Sequence, residues 1–275
     1  RREATIPRMT SQAQKVEAFH RLHAEGCFVI PNPWDVGTAV ALEQMGFKAL
    51  ATTSAGHAWS LARPDNGVRR DEALEHLREI ANAVDVPVNA DFEHGFARDP
   101  DGVAVNVRLA AATGIAGLSI EDSTGDPGEP LYPFELAVER LRAARQAIDE
   151  SGTGVLLTGR SEGFVVGRPD LEETIRRLQA YAEAGADCLY APRIETSEQI
   201  AAVVAAVAPK PVKMSEDPRQ LLRFDLENET ETIRQYRRRL RQCEALGEFA
   251  MAEHIRDILM DEQEHQIDLA TALGE

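Results

Sequence analysis

The chain has 275 residues, of which 43% are hydrophobic and 28% are charged, a balance typical of a globular protein. Its 46 Asp and Glu against 30 Lys and Arg give a net charge of −16, which argues against nucleic acid and anionic membrane surfaces as partners. No apolar run approaches the roughly 20 residues that cross a bilayer and no signal peptide is evident, so we expect a cytoplasmic protein.

Short apolar segments alternate with helical patterns through most of the chain. The segments with the length and composition of strands are 27–31, 49–53, 87–91, 117–121, 155–160, 188–192 and 210–214. The helical patterns between them include 71–84, 101–113, 133–150, 170–184 and 196–208. Gly46, Gly114 and Gly185 each stand between a helix and a strand, where a C-cap is expected. The alternation predicts an α/β fold with a parallel sheet: a (β/α)8-type barrel lacking its last strand, or alternatively a doubly wound sheet.

The chain changes character after residue 214. The remaining residues contain no strand-like segment, and Pro218 stands where the first residue of a helix is expected. Two helices, 218–245 and 248–273, are predicted, joined near Gly247. We therefore predict two domains, a barrel over 1–214 and an all-α two-helix hairpin over 215–275.

Acidic residues follow the predicted strands of the barrel. Asp65 lies after the second strand, Asp91 and Glu93 after the third, and Glu121 ends the fourth. The carboxyl ends of barrel strands meet at one face, where several carboxylates would repel one another without a divalent cation. Hard oxygen ligands favour Mg²⁺ or Mn²⁺, and Arg160 at the end of the fifth strand offers a planar fork for an anionic substrate. The alternative for any single acid is a solvated loop residue.

The segments PNPWDVGTAV, NADFEHGFA, LSIEDST and TGRSEGF together resemble the isocitrate lyase/phosphoenolpyruvate mutase superfamily over roughly residues 10–214. The resemblance implies a Mg²⁺-dependent lyase, mutase or hydrolase acting on a C–C or P–C bond of a small 2-oxo acid. It also implies roles by position: metal binding for Asp91, Glu93 and Glu121, substrate binding for Ser54, Ala55, Gly56 and Arg160, and catalytic roles for Asp65, Glu121 and Arg160.

One motif of that superfamily is absent. The lyase branch carries Lys-Lys-Cys-Gly-His after the fourth strand, with the Cys as general acid, whereas this chain has EDSTGDPGEP there. Cys27 and Cys188 fall at strand starts and Cys243 outside the barrel, so none replaces that thiol. His57 and His94 are the possible acid–base groups near the mouth of the barrel, the face where the carboxyl ends of its strands meet. We therefore expect oxaloacetate or phosphonopyruvate, rather than isocitrate or methylisocitrate, as substrate.

The predicted hairpin carries a second candidate site. The site consists of Glu229 in the first helix and Glu262 and His265 in the second. In each helix they belong to a row of residues spaced alternately three and four positions apart, which predicts the inward seam of a helical bundle. The apolar members of these seams are Leu222, Leu226, Ile233, Tyr236 and Leu240, and Ile255, Ile258 and Leu269. An acid at a core position costs several kcal/mol unless it is paired, protonated or bound to metal. An antiparallel turn near Gly247 would bring the three residues to one height.

Residues 217–274 resemble the C-terminal half of bacterioferritin at LLRFDLENE and ILMDEQEH. The resemblance implies that Glu229, Glu262 and His265 are half of a di-iron site, which takes a Glu from each of two helices and a Glu-x-x-His from each of two others. Two hairpins would complete the ligand set, so we expect a homodimer or larger homo-oligomer. The alternatives are an iron-binding or ferroxidase protein with the barrel as carrier, and a hairpin that only dimerises a catalytically silent barrel.

Overall fold

The computed structural model describes residues 10–24, 26–207, 217–247 and 249–274. The chain divides into two compact units, Arg1–Ala208 and Pro209–Glu275. The predicted boundary near residue 215 and the predicted strand at 210–214 both lie outside the described residues. No helix in the described ranges is long and apolar enough to span a membrane.

The first unit is built on one parallel sheet whose strands follow chain order. The strands are β1 Leu50–Ala51, β2 Val88–Asp91, β3 Gly117–Glu121, β4 Leu156–Arg160 and β5 Cys188–Tyr190. Sequential order means that each crossover adds the next strand on the same side, as in a (β/α) barrel. The described strands form a five-stranded half-barrel, so the α/β class is confirmed, with fewer strands than expected.

Helices connect these strands and cover the outer face of the sheet. They are α1 Gln12–Ala24, α2 Val36–Gln44, α3 Ser54–Ser60, α4 Arg70–Ala83, α5 Pro100–Ala111, α6 Phe134–Ser151, α7 Leu171–Glu183 and α8 Ser197–Val207. The three glycines predicted as C-caps have φ of +92°, +99° and +100°, the left-handed conformation that glycine adopts at little cost. The start of α5 is likewise determined by neighbouring residues. Asp99 caps the helix by accepting from the Gly102 N–H at 2.7 Å, and Pro100 is the first helical residue.

The prediction of a strand at 27–31 was wrong. These residues have no regular secondary structure, although the Ala51 N–H donates to the Pro31 carbonyl at 3.0 Å. Pro31 and the nearby Pro33 lack an N–H, so this segment cannot extend a ladder along β1.

The apolar core lies between the sheet and its helices. Leu118, Ile120 and Leu157 are fully buried on the outer side of the sheet. Gly117 is required where the Phe19 ring of α1 approaches β3, because a Cβ there would lie 2.6 Å from that ring and from Asn89 Oδ1. Inward-facing positions of the strands carry polar side chains instead, and these positions lead to the candidate site.

The second unit contains two helices, α9 Pro218–Leu246 and α10 Phe249–Leu273, as predicted. Gly247 has φ of +77° and ends α9, with its N–H directed at the carbonyls of Cys243 and Glu244. The two helices pack against each other, with a hydrogen bond of 2.8 Å from Gln266 Nε2 to Thr230 Oγ1. The buried apolar side chains described on these helices are Ile233, Ala252, Leu259 and Leu273.

Candidate active site

The carboxyl ends of the strands open into a cavity of about 650 Å³. Most of the predicted site residues line it: Ser54, Ala55, Asp65, Asp91, Glu93, Glu121 and Arg160. Gly56 does not, since it lies one turn into α3 and its N–H donates to Thr53 Oγ1 at 3.1 Å. The structure therefore brings together residues as far apart in the sequence as Ser54 and Arg160.

Arg160 stands among the carboxylates of this cavity. Its Nη1 lies 3.2 Å from Asp91 Oδ1, and its Nε lies 3.5 Å from Glu121 Oε2 and 2.5 Å from Glu162 Oε1. The pairing of β3 with β4 sets Glu121 beside Arg160 in the sheet. One guanidinium thus neutralises part of the negative charge that three strand ends contribute.

Ser54 orients Asp91. The backbone N–H of Ser54 donates to Asp91 Oδ2 at 2.9 Å, and its hydroxyl donates to the same oxygen at 2.7 Å. In the segment 54–56, predicted to bind substrate, the backbone N–H groups of Ser54 and Gly56 therefore already have partners inside the protein. The first turn of α3 therefore holds the Asp91 carboxylate in place and also borders the cavity where a substrate would bind.

Burial perturbs the acids of the cavity. Desolvation, with the charges of Asp91 and Asp65, raises the pKa of Glu93 to about 8. Desolvation also raises the pKa of Glu121 well above its usual range, although Arg160 opposes the shift. A divalent cation among these oxygens would favour their ionised forms, and a hard carboxylate set suits Mg²⁺. Asp91, Glu93 and Glu121 line one cavity and supply this kind of ligand.

The predicted histidines do not line the cavity. His57 stacks on His76 with ring centroids 3.6 Å apart, and burial lowers the pKa of His57. His94 has a buried Nδ1, and burial lowers its pKa to about 4. Neither position supports the interpretation of these residues as acid–base groups at the mouth.

Sequence reasoning missed the loop between β3 and α6 (residues 122–133) as part of the site. Ser123, Gly125, Asp126, Pro127 and Pro130 from this loop line the cavity, together with Val165, Val166 and Tyr190. An isolated bridge between Ser123 and Leu131 closes the loop. Its position after a strand end was the available signal, but the segment was read only as lacking a lyase motif.

Asp122, beside Glu121, has a supporting position instead. It is buried and accepts from Arg177 Nη1 at 3.1 Å, the Tyr181 hydroxyl at 2.6 Å and the Glu162 N–H at 2.7 Å. This network fixes the strand ends that carry Glu121 and Glu162.

The hairpin brings its own predicted residues together. Potential ligand atoms of Glu229, Glu262 and His265 all lie within 4.8 Å of one another. The side chain of His265 is 63% exposed and that of Glu262 is 22% exposed, so this pair lies on a flank of the hairpin rather than in its apolar seam. Burial, reinforced by Glu262, raises the pKa of Glu229.

Residues 19–230 match the family model described as phosphoenolpyruvate phosphomutase. The chain is 31% identical to 2-methylisocitrate lyase of Escherichia coli K12, covering 55% of this chain and 53% of that protein. It is 30% identical to an oxaloacetate decarboxylase of Pseudomonas putida GB-1, covering 66% of this chain and 64% of that protein. The chain thus spans between half and two thirds of the length of these relatives.

Solved structures give the same picture. A proposed lyase/mutase from Burkholderia cenocepacia J2315 matches with 50% identity and a TM-score of 0.70, over 71% of each chain. A phosphonopyruvate hydrolase solved with oxalate and Mg²⁺ matches with 29% identity and a TM-score of 0.65, over 74% of this chain and 70% of that one. Similar proteins are therefore lyases, mutases and hydrolases.

Proposed function

Because the chain belongs to the phosphoenolpyruvate phosphomutase family, we propose that its first unit is a Mg²⁺-dependent enzyme that cleaves or rearranges a C–C or P–C bond of a small 2-oxo acid. The observation that carries the proposal is the acid cluster around Arg160 at the strand ends. A relative that was solved with Mg²⁺ and oxalate, phosphonopyruvate hydrolase, supports the identity of the ion and the kind of ligand.

The predicted site residues that line the cavity each have a chemical role in this proposal. Asp91, Glu93 and Glu121 hold Mg²⁺, and Ser54 keeps Asp91 in place through its two hydrogen bonds. When bound, Mg²⁺ supplies a Lewis acid for negative charge that develops on the 2-oxo group. Arg160 binds the anionic end of the substrate.

Asp65 completes the proposed catalytic set. It lines the cavity from the exposed loop between α3 and α4, and we assign it to the reacting carbon of the substrate. Ala55 lies beside Ser54 at the start of α3 and borders the same cavity, so its backbone can contact a bound carboxylate.

The charges of the cavity limit how many anionic groups a substrate can carry. Among the lining residues, Arg160 carries the only cationic side chain, beside six Asp and Glu. One arginine and one divalent ion suit oxaloacetate or phosphonopyruvate, whereas a tricarboxylate would bring a third carboxylate without a partner. The mouth also lacks the lyase thiol. The oxaloacetate decarboxylase and phosphonopyruvate hydrolase relatives support the same choice.

Purified protein with Mg²⁺ should convert oxaloacetate or phosphonopyruvate and leave isocitrate and methylisocitrate intact. Asp91→Asn and Glu121→Gln should weaken Mg²⁺ binding by at least about tenfold in calorimetry, because each removes an anionic ligand. Glu75→Gln is the control, since Glu75 is exposed on α4. Unchanged Mg²⁺ affinity in both mouth variants, or efficient isocitrate cleavage, would contradict the proposal.

We also propose a transition-metal site, most simply for iron, on the hairpin. The cluster of Glu229, Glu262 and His265 carries this second proposal. Its exposed flank leaves room for a second copy, and two copies would supply four Glu and two His. The same flank of α10 carries Met251, which is 49% exposed, and the half-buried Ile258, an apolar surface that a second hairpin would cover.

Sedimentation with and without Fe²⁺ tests this assembly. We expect a dimer that Fe²⁺ tightens, because metal bound only by the dimer stabilises it by mass action. His265→Ala should weaken iron binding and leave the dimer, whereas Leu226→Asp with Ile258→Asp should split it. A monomer under both conditions would contradict the second proposal and leave the first untouched.

A further inference from the structure

Arg140 on α6 is fully buried, and it heads the buried side chains by size among the described residues. Its hydrogen bonds go to backbone carbonyls, and its guanidinium lies over the Tyr132 ring at 3.8 Å. Burial accordingly lowers the pKa of Arg140. An apolar side chain of similar size would fill this space at less desolvation cost, so the guanidinium serves something other than packing.

The carbonyls that Arg140 contacts belong to the β2–α5 loop (residues 92–99), which carries Glu93. Arg140 Nη1 donates to the carbonyls of Ala97 at 2.5 Å and Arg98 at 2.8 Å, and Nη2 donates to that of His94. Three donated hydrogen bonds from one planar group therefore fix the loop on the side of α6.

This loop has a conformation that needs such support. Glu93 and Phe96 have φ of +47° and +55°, and Gly95 between them has φ of +74°. A non-glycine residue in the left-handed region costs about 1 kcal/mol or more and persists where its surroundings hold it. The Glu93 carbonyl accepts from the Glu121 N–H at 3.1 Å, and the Gly95 carbonyl accepts from Asn106 Nδ2 at 2.9 Å. Arg140 holds the rest of the loop, from His94 to Arg98.

Tyr132 joins the same arginine to the β3–α6 loop. Its N–H donates to the Asp122 carbonyl at 2.9 Å and its carbonyl accepts from Arg177 Nη1 at 3.1 Å, so the base of that loop is fixed. At the surface, Arg98 and Glu129 form a second link between the two loops, with Nη1 and Oε2 3.1 Å apart. Arg140 lies where the two loops that border the cavity meet.

We propose that Arg140 is a positioning residue for Mg²⁺ binding: it holds Glu93 at the mouth through the carbonyls of the β2–α5 loop. The proposal rests on the proposed function, in which Glu93 is a metal ligand. Groups that orient metal ligands from behind typically change metal affinity by 10- to 100-fold when they are removed. Arg140 would be such a group acting through the backbone rather than through the carboxylate.

Mg²⁺ affinity is the direct measurement, made by calorimetry well below the unfolding temperature of each variant. Arg140→Met should bind Mg²⁺ at least about tenfold more weakly, and Arg140→Lys should recover part of the loss because an ammonium can still donate to the carbonyls. Arg108→Met is the matched control: it removes an arginine of the neighbouring helix α5 whose partner is the exposed Glu150. This control should keep wild-type affinity.

A double-mutant cycle separates positioning from general destabilisation. If Arg140 acts through Glu93, Arg140→Met should add nothing to the loss already caused by Glu93→Gln. Should Arg140→Met fail to fold, Arg140→Lys takes its place in the cycle.

Two outcomes would overturn the inference: wild-type Mg²⁺ affinity in Arg140→Met, or losses from the two substitutions that simply add. Absence of Mg²⁺ binding in the wild type would instead overturn the proposed function and, with it, this inference. The two failures are therefore distinguishable in one series of titrations.

Discussion

The two units each gather carboxylates, but they do so in opposite surroundings. At the mouth, Glu93 and Glu121 are buried, and Arg160, Ser54 and the backbone of two loops hold the cluster. On the hairpin, Glu229 and Glu262 lie on a flank with an exposed His265. The same chemical groups thus stand in a finished cavity in one case and on an open surface in the other.

The comparison shows how much support an acid cluster requires. Buried ion pairs support the cluster at the mouth, such as Arg177 with Asp122, whose side chains are 8% and 0% exposed. The hairpin has exposed pairs such as Arg256 with Glu253, at 43% and 69%. If the hairpin cluster functions, the missing support must come from a second copy or from the metal.

The largest expected difference between the units is in the cost of losing an ion pair. Arg177→Met leaves Asp122 buried without its cation, which should cost about 3–5 kcal/mol of unfolding free energy. Arg256→Met in the hairpin should leave the unfolding midpoint unchanged, because solvent screens its partners. Denaturant unfolding followed by circular dichroism measures both. Equal losses would mean that the two clusters are supported alike.

A second difference concerns pH, in protein freed of metal with a chelator. Folded Glu93 has a pKa of about 8, whereas unfolded Glu93 ionises near 4.5. Between these values the folded state holds a proton that the unfolded state has lost, so stability falls as pH rises from about 4.5 to 8.

Glu93→Gln removes this titration. Its stability relative to the wild type should therefore increase by a few kcal/mol between about pH 5 and pH 8. Glu129→Gln, an exposed acid of the β3–α6 loop, is the control and should run parallel to the wild type. If the stability of Glu93→Gln instead ran parallel to that of the wild type across this pH range, Glu93 would have an ordinary pKa in the folded protein, and its burial would not disfavour the carboxylate.

The sequence predicted what local patterns determine. The strands observed to end at residues 91, 121 and 160 end where they were predicted to end. The signals for them, the alternation of strand and helix patterns and the glycine C-caps, depend only on residues near one another in the sequence. The hairpin residues Glu229, Glu262 and His265 meet because regular helices keep their phase. The predicted seam is nevertheless rotated: Leu259 is buried and Ile258 half-buried, since α10 is apolar on more than one face.

Local sequence patterns could not predict contacts between segments that are far apart in the chain. Arg140 lies on the buried face of α6, which helical phase indicates, but the His94 carbonyl that it contacts is 46 positions away and no local pattern identifies it. The β3–α6 loop has no periodicity, so its place at the cavity depends on the fold that brings it there. The strand expected at 27–31 fails for a reason visible in the sequence, the prolines that end it.

The smallest expected effect tests whether the hairpin cluster is a metal site at all. Without metal, Glu229→Gln should slightly stabilise the hairpin at neutral pH, because an amide relieves the carboxylate beside Glu262 that burial already disfavours. With Fe²⁺ the order should invert, since the wild type gains stability from binding that the variant has partly lost. Glu93→Gln should invert in the same way with Mg²⁺ at the mouth. Thermal unfolding with each ion measures both pairs, and Glu264→Gln, an exposed acid on α10, should show no inversion. If the mouth pair inverted and the hairpin pair did not, the hairpin acids would be a charged surface, and the molecule would have one metal centre rather than two.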